Sequence, residues 1–138
     1  MAGMSTARLY AKLPLEHYEY QIRLLDLDPG MPSTTLSGHL RLATMAPSTT
    51  KTEPFEALSY AWGTKTWQNI IVLNGSLALP ITQNLHDALR RLRLSDRPRT
   101  LWIDAICIDQ SSAAEKTNQL PLMPVIYKVG SVCDCVAW

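Results

Sequence analysis

Leu101-Trp102-Ile103-Asp104-Ala105-Ile106-Cys107-Ile108-Asp109-Gln110 is an apolar run with one acid inside it and a second acid at its far end. The run predicts a buried central strand over Leu101–Ile108. An unpaired carboxylate in a low-dielectric interior costs several kcal/mol or stays protonated. Asp104 is therefore expected at the carboxyl end of that strand or against a specific partner. In open α/β sheets the carboxyl ends of the strands are where ligands bind.

Upstream, Tyr18–Leu24 alternates apolar and polar residues, the mark of a half-buried strand. Asp28–Thr35 is turn-rich. Leu36–Ala43 reads as a second strand paired with the first, with Leu40 and Leu42 on one face and His39 and Arg41 on the other. Met1–His17 reads as a flexible lead-in and Met45–Pro54 as a polar loop. Glu56–Trp62 has strand chemistry and ends at Gly63. Asn69–Leu73 and Ser76–Leu79 flank Asn74-Gly75, a strong hairpin signal because a type I′ turn needs two positive φ angles. Pro80 stops the second arm. Asn84 is placed to cap a helix whose apolar face is Leu85, Ala88, Leu89 and Leu92.

Downstream, Ser112 and Glu115 have capping-box spacing. Gln119, Leu122, Met123, Ile126 and Tyr127 keep helical spacing, but Pro121 and Pro124 interrupt it. The expectation is a short turn, a break and a helix from near Pro121 to Gly130, with a strand beginning in Val132–Trp138. A β-rich start followed by β, α, β, α predicts an α/β sheet with an N-terminal β extension and a β-hairpin.

The chain has 138 residues, enough for one domain with a real core. Hydrophobic residues make up 46% and charged residues 18%, a globular composition. A net charge of +1 gives no electrostatic argument for nucleic acid or an anionic membrane. Arg90, Arg91, Arg93, Arg97 and Arg99 cluster where a helix ends, which suits solvated cations facing the helix dipole better than a phosphate patch. Cys107, Cys133 and Cys135 make neither a disulfide framework nor a metal set, and Cys107 reads as a small buried hydrophobe. No apolar run approaches the ~20 residues of a membrane span, and a reducing, cytoplasmic setting is the default.

Three motifs in order carry a family resemblance. Ala57-Leu58-Ser59-Tyr60-Ala61-Trp62-Gly63 resembles the ALSYxWG signature of the fungal heterokaryon-incompatibility (HET) domain. Leu101–Gln110 matches the family's LWIDAICIDQ or LWIDAICINQ block. Glu115, Gln119, Met123, Ile126 and Tyr127 fit its E-x-x-x-Q-x-x-x-M-x-x-I-Y pattern. The likeness runs from about Tyr18 to Tyr127, within a HET domain taken as 18–138. Gly130–Trp138 departs from the family's closing strand, with Asp134 where an apolar residue is expected. The family's R-x-W-x-x-Q-E motif is not reached, so the chain looks like the N-terminal part of the domain.

The resemblance implies a role in fungal nonself recognition and programmed cell death, through self-association or partner binding and without a cofactor. HET domains are similar to TIR domains, which implies a flavodoxin-like sheet and, as an alternative activity, hydrolysis of NAD by a carboxylate. Asp104 and Glu115 are then the candidate catalytic acids, against readings in which Asp104 fixes the strand end and Glu115 closes a capping box onto the Ser112 amide. Ser59, Tyr60, Trp62, Gly63, Asp109 and Gln110 are candidates for ligand binding or for shaping the site. Trp62 at a strand end more often joins the core. Ser59 lacks a nucleophile elbow, and His86 lies off the apolar face of its helix.

Overall fold

The computed structural model of the chain describes residues 8–15, 21–45, 54–58, 68–75 and 77–133. Among the described residues seven strands form one mixed sheet: β1 (Gln21–Leu27), β2 (Ser37–Thr44), β3 (Glu56–Leu58), β4 (Asn69–Leu73), β5 (Leu77–Ile81), β6 (Arg99–Trp102) and β7 (Ser131–Cys133). Their spatial order is β5-β4-β2-β1-β6-β3-β7. The fold is α/β, and its parallel part is β6-β3-β7. The α-helical segments that follow β5 are α1 (Gln83–Leu92), α2 (Asp104–Cys107), α3 (Ala113–Gln119) and α4 (Met123–Val129).

The N-terminal β pair is an extension in chain order only. In space β1 lies mid-sheet, antiparallel to β2 on one side and to β6 on the other. Its sequence explains this: Leu24 and Leu25 are adjacent and both buried, so both faces are apolar rather than one. Gln21 begins the strand, later than the Tyr18 expected, and residues 16–20 lie outside the described ones. The expected lead-in also contributes to the core. A helical turn over 8–11 buries Leu9 and Tyr10.

The β4–β5 hairpin turns at Asn74-Gly75 as expected, with φ of 52° and 91°. Pro80 does not stop β5, which continues to Ile81 as an edge strand, where proline is tolerated. Asn74 has a second task. Its side chain accepts from the Leu40 amide at 2.8 Å and donates to the Leu40 carbonyl at 3.2 Å. This continues the short parallel pairing of β2 with β4, at Ser37 with Val72 and Gly38 with Leu73, after its backbone register ends. Asn74→Asp keeps the tolerance for positive φ but loses the amide donor, and is expected to cost about 1 kcal/mol. Asn74→Ala loses both bonds and strains φ, for about 2–3 kcal/mol. Urea denaturation measures both, and equal midpoints for the two variants would remove the side-chain clamp from the account.

The apolar stripe of α1 is as expected, with Leu85, Ala88, Leu89 and Leu92 all buried. Its cap is Thr82 rather than Asn84, since the Thr82 hydroxyl accepts from the Leu85 amide at 3.3 Å. His86 is half-buried rather than fully solvated. Beyond β6, α3 passes through a 3₁₀ turn over Leu120–Leu122 into α4. Pro121 and Pro124 each stand second in those two segments, within the first turn, where a missing N–H is least costly. The break foreseen at the prolines is thus a tightening of one helical path. Arg41 and Thr100 hydrogen-bond the Asp26 carboxylate across three strands. Burial alone raises that carboxyl, but those bonds and the Arg41 charge outweigh it and hold it below its ordinary value.

Candidate functional site

The strand expected over Leu101–Ile108 ends at Trp102. Ile103 stays extended, and Asp104–Cys107 then closes a single helical turn. A buried apolar run reads alike as a strand or a helical turn, and here tertiary contacts decide. A four-residue helix is too short to stand alone, because nucleation is costly. Its orphan carbonyls are met from distant parts of the chain. The Tyr10 hydroxyl donates to the Ile106 carbonyl at 2.5 Å, and Arg23 Nη1 donates to the Cys107 carbonyl at 3.1 Å. The Gln110 side chain donates to the Asp104 carbonyl at 2.8 Å. The Ile103 amide points at Cys107 Sγ, 3.4 Å away. Cys107 is fully buried, which pushes its thiol up to about 12, so it is a packing residue as expected.

Arg23 and Glu115 form the centre of this construction. Two parallel bonds join them, Nη1 to Oε2 at 2.7 Å and Nη2 to Oε1 at 2.8 Å. Their side chains are 1% and 9% exposed. Arg23 Nε donates to the Leu13 carbonyl at 2.9 Å, and the guanidinium carbon lies 4.9 Å from the centre of the Tyr10 ring. Glu115 Oε2 also accepts from the Asp109 amide. The capping box expected at Ser112 is half made. The Ser112 hydroxyl accepts from the Glu115 amide at 3.1 Å, but the Glu115 carboxylate faces Arg23 and Asp109 rather than the Ser112 amide. Arg23 and Tyr10 were missed by the sequence reading. The signal for Arg23 was a cation in a strand whose Leu24-Leu25 already breaks the alternation.

Asp104 stands just beyond the carboxyl end of β6, half-buried, as the first residue of α2. One of its oxygens accepts from the Ala105 amide at 2.9 Å. Tyr127 approaches from α4. Burial and then the charge of Asp104 raise the Tyr127 phenol, so the carboxylate and the ring share one neighbourhood. Beneath them Trp102 meets Tyr127 edge to face, with centroids 5.8 Å apart and an 84° interplanar angle. Asp109 folds its carboxylate onto the Ser111 amide and hydroxyl at 3.0 and 2.6 Å, shaping the loop as expected. Tyr10, Leu79, Pro80, Ala105, Gln110 and Ser111 line a mainly apolar cleft of about 490 Å³ beside this exit.

Two of the three signature motifs run side by side. Glu56 and Ala57 pair in parallel with Leu101 and Trp102, so β3 and β6 end at the same edge of the sheet. Ser59, Tyr60, Trp62 and Gly63 lie outside the described residues, as do Asp134 and Cys135. Among the described residues no group of His, Cys, Asp and Glu gathers that could hold a metal ion. No helix among them is long and apolar enough to cross a membrane. The arrangement offers a carboxylate at the exit of parallel strands, on a turn braced from behind by Tyr10 and Arg23, with Tyr127 approaching from the helix α4.

The sequence of residues 55–137 matches the family model described as Heterokaryon incompatibility protein (HET). Heterokaryon incompatibility protein 6, OR allele, of Neurospora crassa is 36% identical over 142 aligned residues, which take in 94% of this chain. The alignment covers 20% of that relative, so the chain spans about a fifth of its length. No solved structure matches the chain significantly. With the signature residues in adjacent strands and in the helix that braces them, the chain belongs to the heterokaryon incompatibility (HET) family.

Proposed function

We propose that this chain is a HET module of fungal heterokaryon incompatibility, acting in the cytoplasm in nonself recognition and programmed cell death through self-association or a protein partner. The observation that carries the reading is how the signature residues are used. Glu115, Gln119 and Gln110 are turned inward onto Arg23, the Gln21 carbonyl and the Asp104 carbonyl, while Asp109 is tied to Ser111 of its own loop. They build a rigid support, while the helical path outside it presents an apolar ridge. Leu120 and Val125 are 54% and 44% exposed there, beside the exposed Pro121 and Pro124. Exposed apolar ridges of this kind mark protein contacts.

An enzymatic alternative, cleavage of NAD, is favoured by one observation: Asp104 stands just beyond the carboxyl end of a parallel strand, near enough to Tyr127 for its charge to raise the phenol. In that reading Asp104 is the acid facing the substrate, and Glu115 positions the loop. One experiment separates the two. Wild type, Leu120→Ser/Val125→Ser and Asp104→Ala chains are compared for mass by light scattering, for growth arrest on expression in a fungus, and for NAD turnover. The proposal expects the ridge variant to lose self-association or growth arrest at unchanged melting temperature, while no chain consumes NAD. NAD turnover abolished by Asp104→Ala, with the ridge variant fully active, would overturn it.

A further inference from the structure

The basic cluster at the end of α1 is not simply solvated. Among the described residues, Arg23, Arg41, Arg97 and Arg99 each face a carboxylate within 4.0 Å. Arg90, Arg91 and Arg93 face none, although they fall within four consecutive positions. Two of them are held in place by the loop that follows β1. Arg90 donates to the Pro32 carbonyl, and Arg93 donates to the carbonyls of Met31 and Thr34. Neutral acceptors fix the guanidinium planes without cancelling their charge, and each side chain keeps further donors unused. Burial, and then the charge of Arg90, lowers Arg93 below its ordinary value, so the two cations crowd one another.

These three arginines line a cleft of about 470 Å³ with Gly30, Asp87 and Ser95. Asp87 is the acid of the cleft, and it is turned to Gln83, whose amide it accepts at 2.8 Å. The negative half-charge of a helix C-terminus is small beside three guanidiniums. We propose that this cleft binds a small, soluble phosphate-bearing anion, held by Arg90, Arg91 and Arg93. Guanidinium forks match phosphate oxygens in pairs, and fixing the planes in advance lowers the entropy lost on binding. A concave site on a chain of net charge +1 suits a soluble ligand better than a flat anionic membrane. The site lies at the far end of α1 from Thr82 and uses none of the residues of the strand exit.

The full chain is titrated with inorganic phosphate and pyrophosphate, and the ¹⁵N signals of the arginine Nε groups are followed. Saturable shifts confined to Arg90, Arg91 and Arg93 are expected, with pyrophosphate the tighter probe. Arg91→Gln replaces an exposed side chain and is expected to weaken pyrophosphate roughly tenfold, the loss of one charge-assisted bond. Gly30→Ala gives a second perturbation, because its Cβ would stand 3.1 Å from Arg93 Nη1 and push the guanidinium aside. Potassium chloride at matched ionic strength reproducing the shifts would overturn the site, and so would unchanged pyrophosphate affinity in both variants. Retention of the chain on phosphatidic acid vesicles that pyrophosphate fails to compete away would overturn the soluble ligand.

Discussion

Glu115→Ala is expected to lower the unfolding free energy by about 3–5 kcal/mol, because it leaves the Arg23 guanidinium buried without its counter-charge. A domain of this size holds roughly 5–15 kcal/mol in all, so one substitution removes a large fraction of it. The loss goes beyond the pair. Glu115 also accepts the Asp109 amide, and Arg23 also donates to the carbonyls of Leu13 and Cys107. The same two side chains therefore tie together the N-terminal turn, β1, the end of α2 and the start of α3. Arg23→Met alone is expected to cost a similar amount, since it strands a buried carboxylate and two carbonyls. The double variant Arg23→Met/Glu115→Leu removes both charges, and the singles should overshoot it by about 2 kcal/mol. Urea denaturation of the four chains gives this coupling directly. A cost below about 1 kcal/mol for Glu115→Ala would mean that water reaches the carboxylate and the pair is no more than a surface ion pair.

The features that the sequence disclosed are those whose causes are local. Asn74-Gly75 turns because two successive residues tolerate positive φ, and α1 forms because Leu85, Ala88, Leu89 and Leu92 recur at helical spacing. The larger errors have distant causes. Leu101–Ile108 reads as one strand because Ile103–Cys107 is as apolar as a strand. The bonds that coil it into a turn come from Tyr10 and Arg23, 96 and 84 residues upstream. Glu115 looked like a capping acid because Ser112 stands three residues before it, yet its partner lies 92 residues away. Arg23 looks like the polar side of a half-buried strand, a reading that holds only where that face of the sheet meets water, and here it is covered. The strand order itself, with β1 between β2 and β6, has no local signature. At the site, Asp104 takes one of the two placements expected for it, just beyond a strand end, because the strand stops at Trp102 rather than at Ile108.

Trp102→Ala is expected to cost about 3–5 kcal/mol, whereas Trp102→Phe is expected to stay within about 1 kcal/mol of wild type. The indole is fully buried and packs edge to face on Tyr127, so truncation leaves a cavity under the strand exit. Its Nε1–H has no hydrogen-bond partner among the described residues. A buried donor without an acceptor costs roughly 1–3 kcal/mol, and phenylalanine lifts that penalty while giving up part of the indole's volume and contacts. The two contributions oppose each other and nearly cancel. Far-ultraviolet dichroism in urea is the measurement of choice, since the substitution removes a fluorophore. Asp104 lies two residues beyond Trp102 and shares the neighbourhood of Tyr127, so the pair also reports on the site. The phenylalanine chain should keep the raised Tyr127 phenol, and the alanine chain should let it fall as the ring loses its support and water enters. A phenylalanine chain as unstable as the alanine one would mean that the indole N–H donates to a group at the strand exit. Trp102 would then join Asp104 and Tyr127 as a polar part of the site rather than the floor beneath it.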